Sequence, residues 1–171
     1  MAKKKSLELT EALDTFTTGI RDYISTESRD AVRLIGIRTG GVWLAQRITA
    51  ALNLEEPPGE LNIAFYRDDF SRIGMHPTVE PSVLNFDIND KHLLLIDDIL
   101  FTGRTVRAAM NEIFDYGRPA SIGLAVLVDR GGRELPVQAD IVGMEVSLKP
   151  NEPDKLSGPD PLNLELCKVT P

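Results

Sequence analysis

Residues 93–105, Leu-Leu-Leu-Ile-Asp-Asp-Ile-Leu-Phe-Thr-Gly-Arg-Thr, gather two adjacent carboxylates, a glycine and two threonine hydroxyls into one short stretch. The apolar run reads as a buried strand that carries Asp97 and Asp98 to its exit. A helix starting just beyond Thr105 would turn unpaired backbone N–H groups and the positive end of its dipole toward an anion. Gly103 would let the backbone approach that anion closely, and Thr102 and Thr105 would add hydroxyl donors. Two neighbouring carboxylates disfavour each other's ionised form, and vicinal sugar hydroxyls or a Mg2+ ion would relieve the repulsion. Phosphate at one end and sugar hydroxyls at the other describe a seat for ribose 5-phosphate. Asp97-Asp98 alone would be a capping turn; its coincidence with a buried strand and a Thr-Gly-Arg-Thr loop gives it chemical meaning.

Two further segments could complete such a site. Arg38-Thr39-Gly40-Gly41 follows an apolar run, and consecutive glycines there would leave N–H groups exposed for a pyrophosphate, with Arg38 to offset its charge. Tyr66-Arg67-Asp68-Asp69-Phe70-Ser71-Arg72 opens a long segment, which could act as a flap bringing Arg67 onto a leaving pyrophosphate and excluding water.

The elements that must position these groups alternate between short apolar runs and helical stretches, the pattern of βαβ units around a parallel sheet. Leu7, Leu9, Ala12, Leu13, Phe16, Ile20, Tyr23 and Ile24 predict an amphipathic helix over 6–25, with its stripe used for core packing. Strands are predicted at 33–38, 61–66, 92–96, 121–128 and 140–148, and helices at 42–54 and 106–116. Gly117 and Pro119 end the second of these helices. Residues 67–90, broken by Gly74, Pro77 and Pro81, read as a long functional loop. The segment 149–171 holds five prolines and shows no period. No repeat or linker divides the chain, so residues 1–171 read as a single α/β domain.

Composition narrows the function classes. The 171 residues carry 26 acidic and 19 basic side chains, a formal charge of −7, with 42% hydrophobic and 26% charged residues. That balance fits a globular protein and argues against sequence-independent nucleic-acid binding, which needs clustered positive charge. No apolar stretch is long enough to span a membrane, and no apolar block follows the basic N-terminus as a secretory signal would require. The lone Cys167 excludes an internal disulfide and fits a reducing cytoplasm, where the protein is expected.

The 93–105 string resembles the 5-phosphoribosyl-1-diphosphate (PRPP) signature of type I phosphoribosyltransferases. Tyr66-Arg67-Asp68-Asp69, Gly117-Arg118-Pro119 and the 124–136 block ending Asp129-Arg130-Gly131-Gly132-Arg133-Glu134-Leu135-Pro136 are similar to the PyrR branch, pyrimidine operon regulators that are also uracil phosphoribosyltransferases. The resemblance implies an α/β type I phosphoribosyltransferase fold, a mostly parallel sheet flanked by helices, with a long flexible loop over the site and a small hood. It implies that uracil and PRPP give UMP and pyrophosphate with Mg2+, and that the chain forms a homo-oligomer.

By the same resemblance Asp97 and Asp98 hold the ribose hydroxyls and the metal, and Thr102, Gly103, Arg104 and Thr105 hold the 5-phosphate. Arg38, Thr39 and Gly40 take the pyrophosphate with Arg67 from the flap, and the base lies near Val128, Asp129 and Arg130, read largely by backbone groups. His76 and His92 are loop and strand-start residues rather than catalysts. Two alternatives share the fold: a non-catalytic, nucleotide-sensing regulator, or a purine phosphoribosyltransferase. A regulator would meet pyrimidine-operon leader RNA through a surface near Arg21, Arg29, Arg130 and Arg133. The chain departs from the family at Gly40, where many members carry arginine, and at Gly132, where RNA-binding relatives often carry histidine.

Overall fold

Leu93 to Ile96 are each fully buried, and they form the middle of the strand around which the other elements are arranged. The computed structural model describes residues 2–26, 32–63, 80–149, 151–152 and 154–166. In chain order these are α1 (Ala2–Ser25), β1 (Val32–Ile37), α2 (Gly40–Ala51), β2 (Gly59–Leu61), β3 (His92–Leu100), α3 (Arg104–Tyr116), β4 (Ser121–Asp129), β5 (Ile141–Glu145), β6 (Asp154–Ser157) and β7 (Asn163–Leu166). The first five strands make one sheet in the order β2-β1-β3-β4-β5, every neighbouring pair parallel.

Side-chain alternation divides the core between the two faces of this sheet. Leu94 and Ile96 of β3 pack with Leu9, Phe16, Ile20, Leu44 and Ile48 of α1 and α2. Leu93 and Leu95 pack with Val106, Ala109 and Ile113 of α3. The stripe on α1 is core packing, as its spacing predicts: Ala12, Phe16 and Ile20 are all but inaccessible.

Several boundaries differ from the sequence expectation for identifiable reasons. β3 continues past Ile96 to Leu100 because β4 runs beside it as far as the Leu100–Asp129 pair. Both helices that lead away from the strand ends start two residues early, α2 at Gly40 and α3 at Arg104. The second strand begins at Gly59 and ends at Leu61, where a strand over 61–66 is expected; residues 64–79 lie outside the described ones. The latter part of the expected loop is not loose, since Val83 bridges Glu60 in antiparallel fashion and Ile88 is buried against the α3 face. The proline-rich tail forms the antiparallel β6–β7 ribbon, which packs Leu156 and Leu164 into the α1/α2 face.

β1 and the start of α2 also approach closely. A Cβ at Gly36 would lie 2.6 Å from both the Gly41 carbonyl oxygen and the Val42 Cα, atoms that cannot swing aside. Gly36→Ala is therefore expected to destabilise the protein by about 1–3 kcal/mol, the range for overpacked sites. Urea unfolding measures this; unchanged stability would mean that the helix start can shift freely.

Candidate active site

The strand order reverses direction at β1 and β3: the chain passes from β1 outward to β2, then returns to place β3 on the other side of β1. In open parallel sheets the crevice beyond the carboxyl ends of such a pair is where ligands bind. Two of the segments singled out from the sequence meet there. Gly40 and Gly41 open α2, and a Cβ on Gly41 would collide with the Ile96 carbonyl oxygen. A Cβ on Gly40 would fall 2.7 Å from the Asp98 carboxyl carbon. Absence of side chains thus lets the turn after β1 lie directly against the acidic end of β3. The Arg38–Thr39 peptide in this turn is cis.

Asp97 and Asp98 are not the mutually repelling pair that their adjacency suggests. They lie within a strand, where successive side chains point to opposite faces. Asp98 turns toward Gly40 and the α2 face, and its Oδ1 accepts the Ile99 N–H at 2.9 Å. Alternation turns Asp97 to the α3 face, where it is 5% exposed and accepts the Asp98 N–H at 3.0 Å. Alternation points the two carboxylates to opposite faces, and it is the Asp98 side chain that borders Gly40.

Beyond β3 the chain makes a tight loop into α3. Gly103 precedes the helix at φ +92°, a conformation that disfavours any residue with a Cβ. Helical geometry leaves the N–H groups of residues 104–106 without intrahelical acceptors; that of Arg104 donates to Thr102 Oγ1 at 3.2 Å. The helix start therefore carries the anion-attracting character its sequence predicts. The Arg104 side chain turns aside, its Nε donating to Glu134 at 2.8 Å on the surface.

The sequence does not reveal what braces this loop. The Thr102 carbonyl accepts the N–H groups of Glu134 and Leu135 at 3.0 and 3.1 Å. Arg133 donates to the Phe101 carbonyl at 2.8 Å and the Val137 carbonyl at 3.0 Å, and pairs with Asp129. Residues 129–137 thus form a strap that ties down the loop between β3 and α3.

The groups expected near the base sit at the end of β4. Val128 is fully buried, so only its backbone reaches the strand end. Asp129 is occupied by the Gly131 N–H and by Arg133. Arg130 is turned inward: its Nη1 lies 2.5 Å from Asp154, its Nη2 donates to the Lys149 carbonyl at 2.7 Å, and its guanidinium stacks 4.2 Å from the Phe101 ring centre. This corrects two members of the expected basic RNA-facing surface, because Arg130 and Arg133 turn most of their donors inside the protein; Arg21 is exposed, and Arg29 lies outside the described residues. A cleft of about 500 Å³ nonetheless opens here, lined by Asp129, Arg130, Gly131, Arg133, Glu145, Val146 and Ser147.

Arg38, expected to offset pyrophosphate charge, instead carries Glu60 and Glu80. Hydrogen bonding to Glu60 raises its already high pKa, overcoming the opposing effect of burial. Arg67 and His76 lie outside the described residues. Among the described residues no three His, Cys, Asp or Glu side chains cluster as a metal cage. Mg2+ does not require one, because it binds through one or two carboxylates together with substrate phosphates. Asp98 beside the Gly40 turn fits that donor set. No helix among the described residues is long and apolar enough to cross a membrane.

Comparison with known proteins agrees with this geometry. The phosphoribosyl transferase domain family matches residues 9–153. The bifunctional protein PyrR of Nitrosococcus oceani is 54% identical over 168 residues, covering 97% of this chain and 95% of that protein. The bifunctional protein PyrR of Pseudomonas syringae pv. tomato is 54% identical over 156 residues, covering 91% and 92%. Among solved structures, a purine phosphoribosyltransferase from Pyrococcus horikoshii shares the fold with a TM-score of 0.60 at 22% identity, over 82% of this chain and 83% of that one. The switch-point crevice, the helix-mouth loop and these relatives together place the chain in the PyrR family of type I phosphoribosyltransferases.

Proposed function

We propose that this protein is a uracil phosphoribosyltransferase. In that reaction the bond from the ribose C1 of PRPP to pyrophosphate breaks, a bond from C1 to N1 of uracil forms, and N1 gives up its proton. One observation carries the reading: in a chain of the PyrR family, the Thr102–Thr105 helix mouth and the Gly40 turn flank the same acidic strand end.

The chemistry follows from the charges. As pyrophosphate departs, C1 gains cationic character, and a carboxylate fixed nearby stabilises it without reorganising. Asp98 is suited to that task and to the ribose hydroxyls, while Asp97 hydrogen-bonds the backbone that carries Asp98. Thr102, Gly103 and Thr105 would hold the 5-phosphate, with Arg104 contributing to the positive end of the site. Arg38, Thr39 and Gly40 would receive pyrophosphate, and Arg67 would join from the flap. Mg2+, bound by Asp98 together with the substrate, would supply neutralising charge on the diphosphate. Uracil would lie in the cleft at Val128, Asp129 and Arg130, met chiefly by backbone groups. Likeness to purine enzymes at 22% identity concerns the fold and carries no argument about the base.

A second activity accords with the relatives' description as bifunctional. UMP in the same seat would control binding to pyrimidine-operon leader RNA. Its surface would not use Arg130 or Arg133, and the histidine of RNA-binding relatives has no room at position 132. Gly132 lies at φ +78°, and a Cβ there would fall 2.5 Å from the Phe101 ring.

Incubation with uracil, PRPP and Mg2+ should yield UMP, with hypoxanthine and guanine giving no nucleotide. Asp98→Asn should lower kcat/KM by about 10²-fold, as loss of one fixed electrostatic group does elsewhere. Absence of UMP from the wild-type reaction refutes the enzyme reading. For the RNA arm, filter binding of leader RNA should strengthen with UMP and weaken steeply as salt rises. Retention indifferent to both would remove that arm.

A further inference from the structure

Arg38 is held by two carboxylates, and they hold it differently. Glu60 on β2 accepts from Nε at 3.3 Å and from Nη2 at 2.9 Å through a single oxygen. Both partners are well shielded there, with side-chain exposures of 24% and 26%. Glu80 pairs with Nη1 at the opposite corner and is 71% exposed. Its backbone is nevertheless fixed: the Glu80 carbonyl accepts the Asn62 side-chain amide at 2.6 Å, and Val83 bridges Glu60 three residues later. These two ties hold the Glu80 backbone beside the guanidinium.

One cation facing two anions is an unusual arrangement for the mouth of an anion-binding turn. Glu60 alone neutralises Arg38 and fixes one edge of its planar fork. The remaining corner is where an incoming anion would dock, because guanidinium N–H groups accept carboxylate and phosphate oxygens in the same geometry.

We infer that the Glu80 carboxylate occupies the position a pyrophosphate oxygen takes at Arg38, so that Glu80 sets the affinity of this site for pyrophosphate. The inference rests on the phosphoribosyl-transfer reading and adds a residue that neither motif spacing nor family resemblance assigns. Displacement of Glu80 is easy, since an exposed ion pair is weak and screened by salt. A resident carboxylate that must be displaced weakens the hold on the product diphosphate and favours its release. UMP carries no diphosphate and should be indifferent to Glu80.

Calorimetric titration of the full chain tests this, using inorganic pyrophosphate with Mg2+ as one probe and UMP as the other. Glu80→Gln should lower the Kd for pyrophosphate by about two- to fivefold, the range an exposed ion pair spans, and leave the Kd for UMP unchanged. The gain should vanish in an Arg38→Gln background, because competition requires the shared guanidinium. An unchanged pyrophosphate affinity in Glu80→Gln overturns the inference. So does an equal gain in the Arg38→Gln background, which would signal general charge removal. Binding of UMP with no pyrophosphate affinity in any variant overturns the inference alone; binding of neither probe overturns the phosphoribosyltransferase reading and the inference with it.

Discussion

Backbone contact between the start of α2 and the end of β3 is the constraint on which the site depends. Gly36, Gly40 and Gly41 each face atoms that would collide with a Cβ, and the collision partners include the Ile96 carbonyl and Asp98. At Gly36 and Gly41 those atoms are backbone, so a larger residue there would lift the turn off the strand, while at Gly40 it would have to displace the Asp98 side chain. Fully buried Leu93 to Ile96 anchor the strand from beneath on both faces, so the contact is made against a rigid support. The rest of the crevice is arranged around this junction.

The second organising feature is the strap of residues 129–137. It holds the phosphate-type loop through the Thr102 and Phe101 carbonyls, and by way of Arg130 reaches the C-terminal ribbon. Loops are usually the more mobile parts of a fold, yet this one is tied by backbone bonds to the 129–137 segment. Such bracing holds hydrogen-bond donors in place before a ligand arrives, which is what electrostatic stabilisation of a developing charge requires.

The strand and helix periodicities, and the 93–105 string, were legible because each depends on neighbours in sequence. Uninterrupted apolar residues at 93–96 read as a strand covered on both faces, and the 3.6 period of α1 placed Phe16 and Ile20 in the core. What stayed hidden depends on partners far apart in the chain. Nothing near Asp97 and Asp98 tells that β4 extends β3 past them and sends their carboxylates to opposite faces. Nothing near Arg130 announces Asp154, and nothing near Arg38 announces Glu60 or Glu80. The 129–136 block identified a family, but its mechanical role as a strap emerged only when the Thr102 carbonyl found its donors.

Arg130 also bears on the order in which the protein takes shape. Its side chain is 4% exposed, and the groups that pair with its terminal nitrogens, the Lys149 carbonyl and Asp154, come 19 and 24 residues later in the chain. A ribosome making the chain from its N-terminus completes β3, α3 and β4 before either group exists. During that interval the cation must remain hydrated, because a buried unpaired charge is strongly unfavourable. Burial of this cation therefore waits on Lys149 and Asp154, and any opening that withdraws them returns Arg130 to water.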